Sequence, residues 1–277
     1  MKRTIFAAAA VTASLAVLAE SPLWLRNAAL SPDGKTLAFT YKGDIWSVPV
    51  TGGQARQLTT NPSYDTAPMW SPDGKSLVFV SDRATGSPDI FVIPAGGGTA
   101  TRLTTDSGAE FPLTWLSDST LLIRAAGEGS ATALLHPSAV NSPLYTINVN
   151  RPDLRPRFYA HVAMQAANAD ATGRVLYQDR KGFENQFRKH ERSSATHDIW
   201  LKDGNKYTKL TDFNGNNDNP LWVDADSYVY LSEKDGTLNI WLRSLDGKTD
   251  RQLTDYRDFP VRSLTRADNG LLAYSWN

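Results

Sequence analysis

Four places in the chain set a carboxylate beside an aromatic ring or just ahead of an apolar segment: Tyr64-Asp65, Glu110-Phe111, Asp218 and Asp258-Phe259. Acids that recur in this way, brought to one rim by the fold, would make an acidic and aromatic ring suited to cationic or extended peptide ligands. The alternative is that each acid caps its own turn. A second cluster runs from Arg180 to Thr196, where Lys181, Arg188, Lys189, His190 and Arg192 are interleaved with Phe183 and Phe187. Basic residues among aromatics suit stacked, anionic ligands, single-stranded nucleic acid included. A long solvated loop has the same composition.

Catalytic spacings are missing. No Gly-x-Ser-x-Gly occurs, so there is no nucleophile elbow. The four histidines are His136, His161, His190 and His197, and His190-Glu191 lacks the second histidine that a zinc-binding helix needs. Asp212, Asn214, Asn216 and Asp218 alternate like oxygen ligands of a calcium loop, but Asn217 stands where the loop needs glycine and Val223 where it needs glutamate. With no cysteine, disulfides, thiolate metal sites and thiol nucleophiles are excluded. The expectation is a chain with no catalytic site, no metal and no cofactor.

What must position the acids is a repeat. Ser31-Pro32-Asp33-Gly34-Lys35-Thr36-Leu37-Ala38-Phe39 returns 40 residues later as Ser71-Pro72-Asp73-Gly74-Lys75-Ser76-Leu77-Val78-Phe79. Weaker copies begin near Trp115, Ala169, Trp222 and Arg266. A second echo follows each turn: Asp44-Ile45-Trp46, Asp89-Ile90-Phe91, Leu144-Tyr145, Asp198-Ile199-Trp200 and Asn239-Ile240-Trp241. A third is Leu58-Thr59, Leu103-Thr104, Leu210-Thr211 and Leu253-Thr254.

Pro at the second turn position presets φ and Gly at the fourth accepts a positive φ, so Ser-Pro-Asp-Gly joins two strands. The residues after it alternate with period two and are rich in β-branched and aromatic types, which specifies strand. Four short strands recurring every 40 to 45 residues specify the blades of a β-propeller. The fold class is therefore all-β, with five four-stranded blades and the start of a sixth. Between each Leu-Thr and the next inner strand the link lies near the channel mouth, which is why the acids above are candidates.

The start of the chain reads differently. Lys2 and Arg3 precede an apolar run from Ile5 to Leu18, and Val17-Leu18-Ala19 suits signal-peptidase cleavage. Residues 1–19 are thus expected to be a signal peptide and residues 20–277 the propeller, in a periplasmic or extracellular protein without stable membrane insertion after cleavage. Charge is balanced, with 29 Lys plus Arg against 29 Asp plus Glu. A net basic surface for nucleic acid is excluded, and export argues against that partner again.

The combination of Ser-Pro-Asp-Gly-Lys, Asp-Ile-Trp, Gly-Gly and Arg-Gln-Leu-Thr resembles the WD40-like repeat of TolB and of tricorn-type proteases. The stretch from Tyr177 to His190, with Asp198-Ile199-Trp200, Leu210-Thr211-Asp212-Phe213 and the opening Pro22-Leu23-Trp24-Leu25-Arg26, resembles the amino-terminal propeller of exported tricorn-like peptidases of the S41 class. The resemblance covers residues 20–277 and implies a non-catalytic domain that guides or docks peptides for downstream peptidase domains of a parent chain. No residue here matches that family's catalytic motif. Other readings are a free TolB-like envelope scaffold that binds proteins, and a glycosidase with paired carboxylates at the channel. Only two strands of the sixth unit fit after Thr254, so the chain reads as truncated within that blade, with a less stable edge.

Overall fold

The computed structural model describes residues 25–106, 108–125, 143–182 and 192–276. Among them, 22 strands form five four-stranded antiparallel sheets and one two-stranded sheet. Blade one is β1 (Arg26–Leu30), β2 (Thr36–Tyr41), β3 (Asp44–Pro49) and β4 (Arg56–Gln57). Blade two is β5 (Asp65–Trp70), β6 (Ser76–Ser81), β7 (Asp89–Pro94) and β8 (Thr101–Arg102). Blade three is β9 (Glu110–Trp115), β10 (Thr120–Ala125), β11 (Leu144–Asn148) and β12 (Arg157–Ala160). Blade four is β13 (Met164–Ala169), β14 (Val175–Asp179), β15 (Ile199–Asp203) and β16 (Lys206–Lys209). Blade five is β17 (Asn217–Trp222), β18 (Ser227–Ser232), β19 (Asn239–Ser244) and β20 (Asp250–Gln252), and the sixth sheet pairs β21 (Val261–Arg266) with β22 (Leu272–Trp276). In each sheet the spatial order of strands is sequential, an up-and-down meander.

The sequence echoes have direct structural causes. In the Ser-Pro-Asp-Gly turns the Ser31 hydroxyl donates to Asp33 Oδ1 at 2.6 Å, and Gly34 N donates to Ser31 O at 2.9 Å with Gly34 at φ +70°. Ser71, Asp73 and Gly74 repeat the arrangement. The Leu-Thr echo is a clasp. The hydroxyl of Thr59 accepts from Ile45 N at 3.0 Å, and the same bond joins Thr104 to Ile90, Thr211 to Ile199 and Thr254 to Ile240. Each clasp supplies a buried backbone donor with an acceptor where the short outer strand stops.

Packing is between blades rather than within them. One apolar cluster joins Ala29, Ala38, Ile45 and Leu58 of blade one to Trp70, Leu77, Phe79, Phe91 and Ile93 of blade two. Four more clusters join each blade to its successor, the last joining blade five to the sixth sheet through Val229, Leu231, Ile240, Val261 and Leu264. The ring closes through hydrogen bonds: Leu30 N donates to Thr265 Oγ1 at 3.1 Å and Asp268 N to Pro32 O at 2.9 Å.

The inner strands carry a feature that hydrophobic periodicity does not show. Asn27, Ala67, Asn219 and Ser263 all have φ of 51–52°. Each sits at a register break, as between Thr66 and Met69, where two residues of the inner strand face one of its partner. These are β-bulges, which bend and twist the strand at the channel wall.

Candidate functional site

All six inner strands line one central channel of about 1100 Å³. Of the seven ring candidates only Phe111 and Asp218 line it. The expected ring of acids at the channel mouth is therefore corrected. Asp65 is fully buried inside blade two, where Arg83 Nη2 reaches its Oδ2 at 2.5 Å. Arg83 in turn lies over the rings of Phe79 and Phe91, 5.2 and 4.9 Å from their centroids. Glu110 is 1% exposed, with its carboxyl beside Thr104 and Asp89. Burial pushes its pKa up to about 8, and the nearby Asp89 and Asp106 charges add to the rise. The reason is register: Asp65 and Glu110 are the first residues of their strands, opposite Ser81 and Ala125, and strand alternation turns them into the blade, whereas Phe111, next to Glu110, lines the channel. Tyr64, Asp258 and Phe259 are exposed and outside the channel lining. Phe259 instead packs edge-on against Trp276, with ring centroids 5.9 Å apart.

The insertion-loop candidates Phe183, Phe187, Arg188, Lys189 and His190 lie outside the described residues. Of their neighbours, Lys181 Nζ bonds the Asp198 carboxylate at 2.6 Å and Thr196 O at 2.8 Å, which ties the loop base to blade four.

The channel wall differs from side to side. Blade two contributes Ala67, Pro68, Met69 and Val80, an apolar stretch. Blades three and four contribute Phe111, Arg124, Gln165, Gln178 and Arg180. Arg124, on β10, is 6% exposed; its Nη1 donates to Met164 O at 3.1 Å and to Gln165 Oε1 at 3.0 Å, and the guanidinium lies 4.8 Å over the Phe111 ring. Burial, then the charge of Arg180, lowers its pKa to about 10, so it remains a cation at neutral pH. Burial also lowers Arg180.

Towards blade five the acids are already engaged. His197 Nδ1 lies 2.8 Å from Asp218 Oδ1, and Gln178 Nε2 lies 3.0 Å from the same nitrogen. His197 is further fixed through its backbone, its N–H donating to Asn216 Oδ1 and its carbonyl accepting from Asn217. Glu233 Oε1 accepts from Asn216 N at 2.9 Å. Burial lowers the pKa of Arg262 on β21, and the Asp218 charge opposes that shift. The arrangement can hold polar and anionic groups in a partly dehydrated tube. Sequence reasoning missed Arg124, Arg180 and Arg262 as channel residues, although aligning the second strands would have set Arg124 against Val80 and Leu231.

The model of the tricorn protease N-terminal β-propeller domain matches residues 22–276. The chain belongs to that family. A curated relative of this propeller, tricorn protease homolog 1 of Streptomyces coelicolor, is 28% identical over 235 residues, which cover 83% of this chain and 21% of that protein. The chain thus spans about a fifth of that relative's length. Among solved structures the tricorn protease superposes with a TM-score of 0.76 at 21% identity, over 92% of this chain and 24% of that one. A TolB-type protein from Agrobacterium tumefaciens superposes with a TM-score of 0.69 at 14% identity, over 93% and 91% of the two chains. Both likenesses show the propeller fold. For a tricorn-type propeller, the described residues hold no group of three or more His, Asp or Glu side chains placed to bind a metal.

Proposed function

We propose that this propeller is the non-catalytic domain of an exported tricorn-like serine peptidase, and that it guides or docks peptide substrates or products in its channel. The observation that carries the reading is the channel itself: about 1100 Å³, lined by all six inner strands and walled by apolar, amide and charged groups together. An extended peptide presents the same mixture along its length. Export is supported by Lys2 and Arg3 ahead of the apolar run from Ile5 to Leu18. The partners implied are peptides and the peptidase domains of a longer parent chain; nucleic acid is not among them. The alternative, a TolB-like scaffold that binds another protein of the envelope, rests on fold likeness alone.

Calorimetric titration of unstructured peptides into the chain tests the reading. Saturable binding that is lost in Ala166→Trp, which narrows the channel from β13, is the expected result. Absence of binding, or binding indifferent to that substitution, overturns it. The isolated chain is expected to hydrolyse none of these peptides; cleavage that survives contaminant controls would place a catalytic site where none is recognised.

A further inference from the structure

One position of the second strand recurs in register in every complete blade and faces the channel in blades two to five. Register pairs Thr40 with Arg26, Val80 with Thr66, Arg124 with Phe111, Gln178 with Ala166, and Leu231 with Asp218. Four blades fill it with a small, apolar or amide side chain. Blade three fills it with a guanidinium that is 6% exposed and bonded only to neutral groups, the Met164 carbonyl and the Gln165 amide oxygen. Among the described residues no carboxylate pairs with Arg124. Of the acids that line the channel, Asp218 turns to His197 and Glu233 to Asn216, and Asp268 is exposed on the sixth sheet's turn. A buried cation without a counter-charge is costly, and a valine or leucine would serve the packing better.

We propose that Arg124 forms a carboxylate-binding site in the channel wall, so that the channel selects peptides carrying acidic groups. The proposal rests on the peptide-docking reading above and names its ligand class. Only one nitrogen of the Arg124 fork is engaged by the protein, while the Phe111 ring and Gln165 fix its plane. The rest of the fork is left for a bidentate carboxylate. Arg180 lines the same channel and is close enough for its charge to act on Arg124. A carboxylate on the Arg124 fork would neutralise the buried charge.

The test uses the whole chain and three unstructured peptides of equal length: one rich in glutamate with both ends blocked, its glutamine counterpart with both ends blocked, and the glutamine peptide with a free carboxyl terminus. The blocked glutamate peptide is expected to bind about tenfold or more tighter than its glutamine counterpart, by a margin that shrinks with salt. Arg124→Leu, which copies Leu231 of blade five, is expected to abolish the margin without lowering the melting temperature. Arg124→Gln provides a second variant should Arg124→Leu fail to fold. If only the free-ended peptide gains affinity, and loses it in Arg124→Leu, the carboxylate is the terminal one. Equal affinity for all three peptides, or a margin that survives both substitutions, overturns the charge selection and leaves peptide docking standing. If no peptide binds, both fall.

Discussion

Blades one and two repeat each other almost side chain for side chain. Ser31 and Ser71 make the same turn bonds, and Thr59 and Thr104 close the same clasps. The channel wall of blade two is correspondingly plain, from Ala67 to Met69 with Val80. Blade three keeps the strand order but loses most of the echoes, and its wall carries Arg124; blade four keeps the Asp-Ile-Trp and Leu-Thr echoes but has a degenerate turn, and its wall carries Gln178 and Arg180. The faithful copies carry what any blade needs in order to stack. The departures change the channel wall, and Arg124 also ties blade three to blade four through Met164 O and Gln165 Oε1.

That comparison can be broken at its structural half first. Phe79 is fully buried in the cluster between blades one and two and stacks on Phe91 with centroids 5.9 Å apart. Phe79→Ala is expected to cost about 4 kcal/mol, read from urea unfolding, as for other large-to-small core changes. A loss below about 1 kcal/mol would mean that the repeated blades do not carry the fold. Next comes Asp65→Asn, which leaves the partly buried Arg83 facing a neutral group and is expected to cost about 3 kcal/mol. Its peptide affinity should not change. Weakened binding by the folded variant would return Asp65 to the list of ligand-binding residues.

Glu110 sharpens the comparison through pH. Its carboxyl holds a proton in the folded state up to about pH 8, whereas the unfolded chain releases it in the ordinary carboxylate range. Stability should therefore fall as pH rises from that range towards 8 and stay lowered above it. Glu110→Gln is expected to raise the melting temperature in alkaline buffer and to leave it unchanged in acid; equal shifts at both ends would refute the buried, protonated carboxyl. The smallest effect is at the bulge of β5. Ala67 at φ 52° bears a left-handed conformation that glycine adopts freely, so Ala67→Gly should stabilise the chain by about 1 kcal/mol in the same urea assay.

Ser-Pro-Asp-Gly, Asp-Ile-Trp and Leu-Thr revealed the blades because each is a local device: a turn, a third-strand start and a clasp. The blade count and the two-stranded sixth sheet followed from their spacing. The site was less legible. A bulge shifts which residues face inward, and nothing in Asp65-Thr66-Ala67-Pro68 announces that Ala67 is left-handed, so Asp65 and Glu110 looked like rim acids. Arg124 was hidden differently, as one polar residue closing the run Thr120-Leu121-Leu122-Ile123 at a place where alternation predicts only a strand. Its meaning depends on a side chain from the next blade, at Gln165, which no local pattern contains.

The closing seam differs in kind from the others. Between the sixth sheet and blade one, the Asp268 amide meets the Pro32 carbonyl, the Leu30 amide meets the Thr265 hydroxyl, and Gly34 leaves room for the Asn269 side chain 2.6 Å from where its Cβ would stand. Separating these groups exchanges hydrogen bonds for water, and the ring is expected to open here before it opens between blades joined by an apolar cluster. In amide hydrogen exchange the protons of Leu30 and Asp268 should be replaced earlier than the clasp amides of Ile45 and Ile90. A ring that opened at this seam would widen its bore without unfolding a blade.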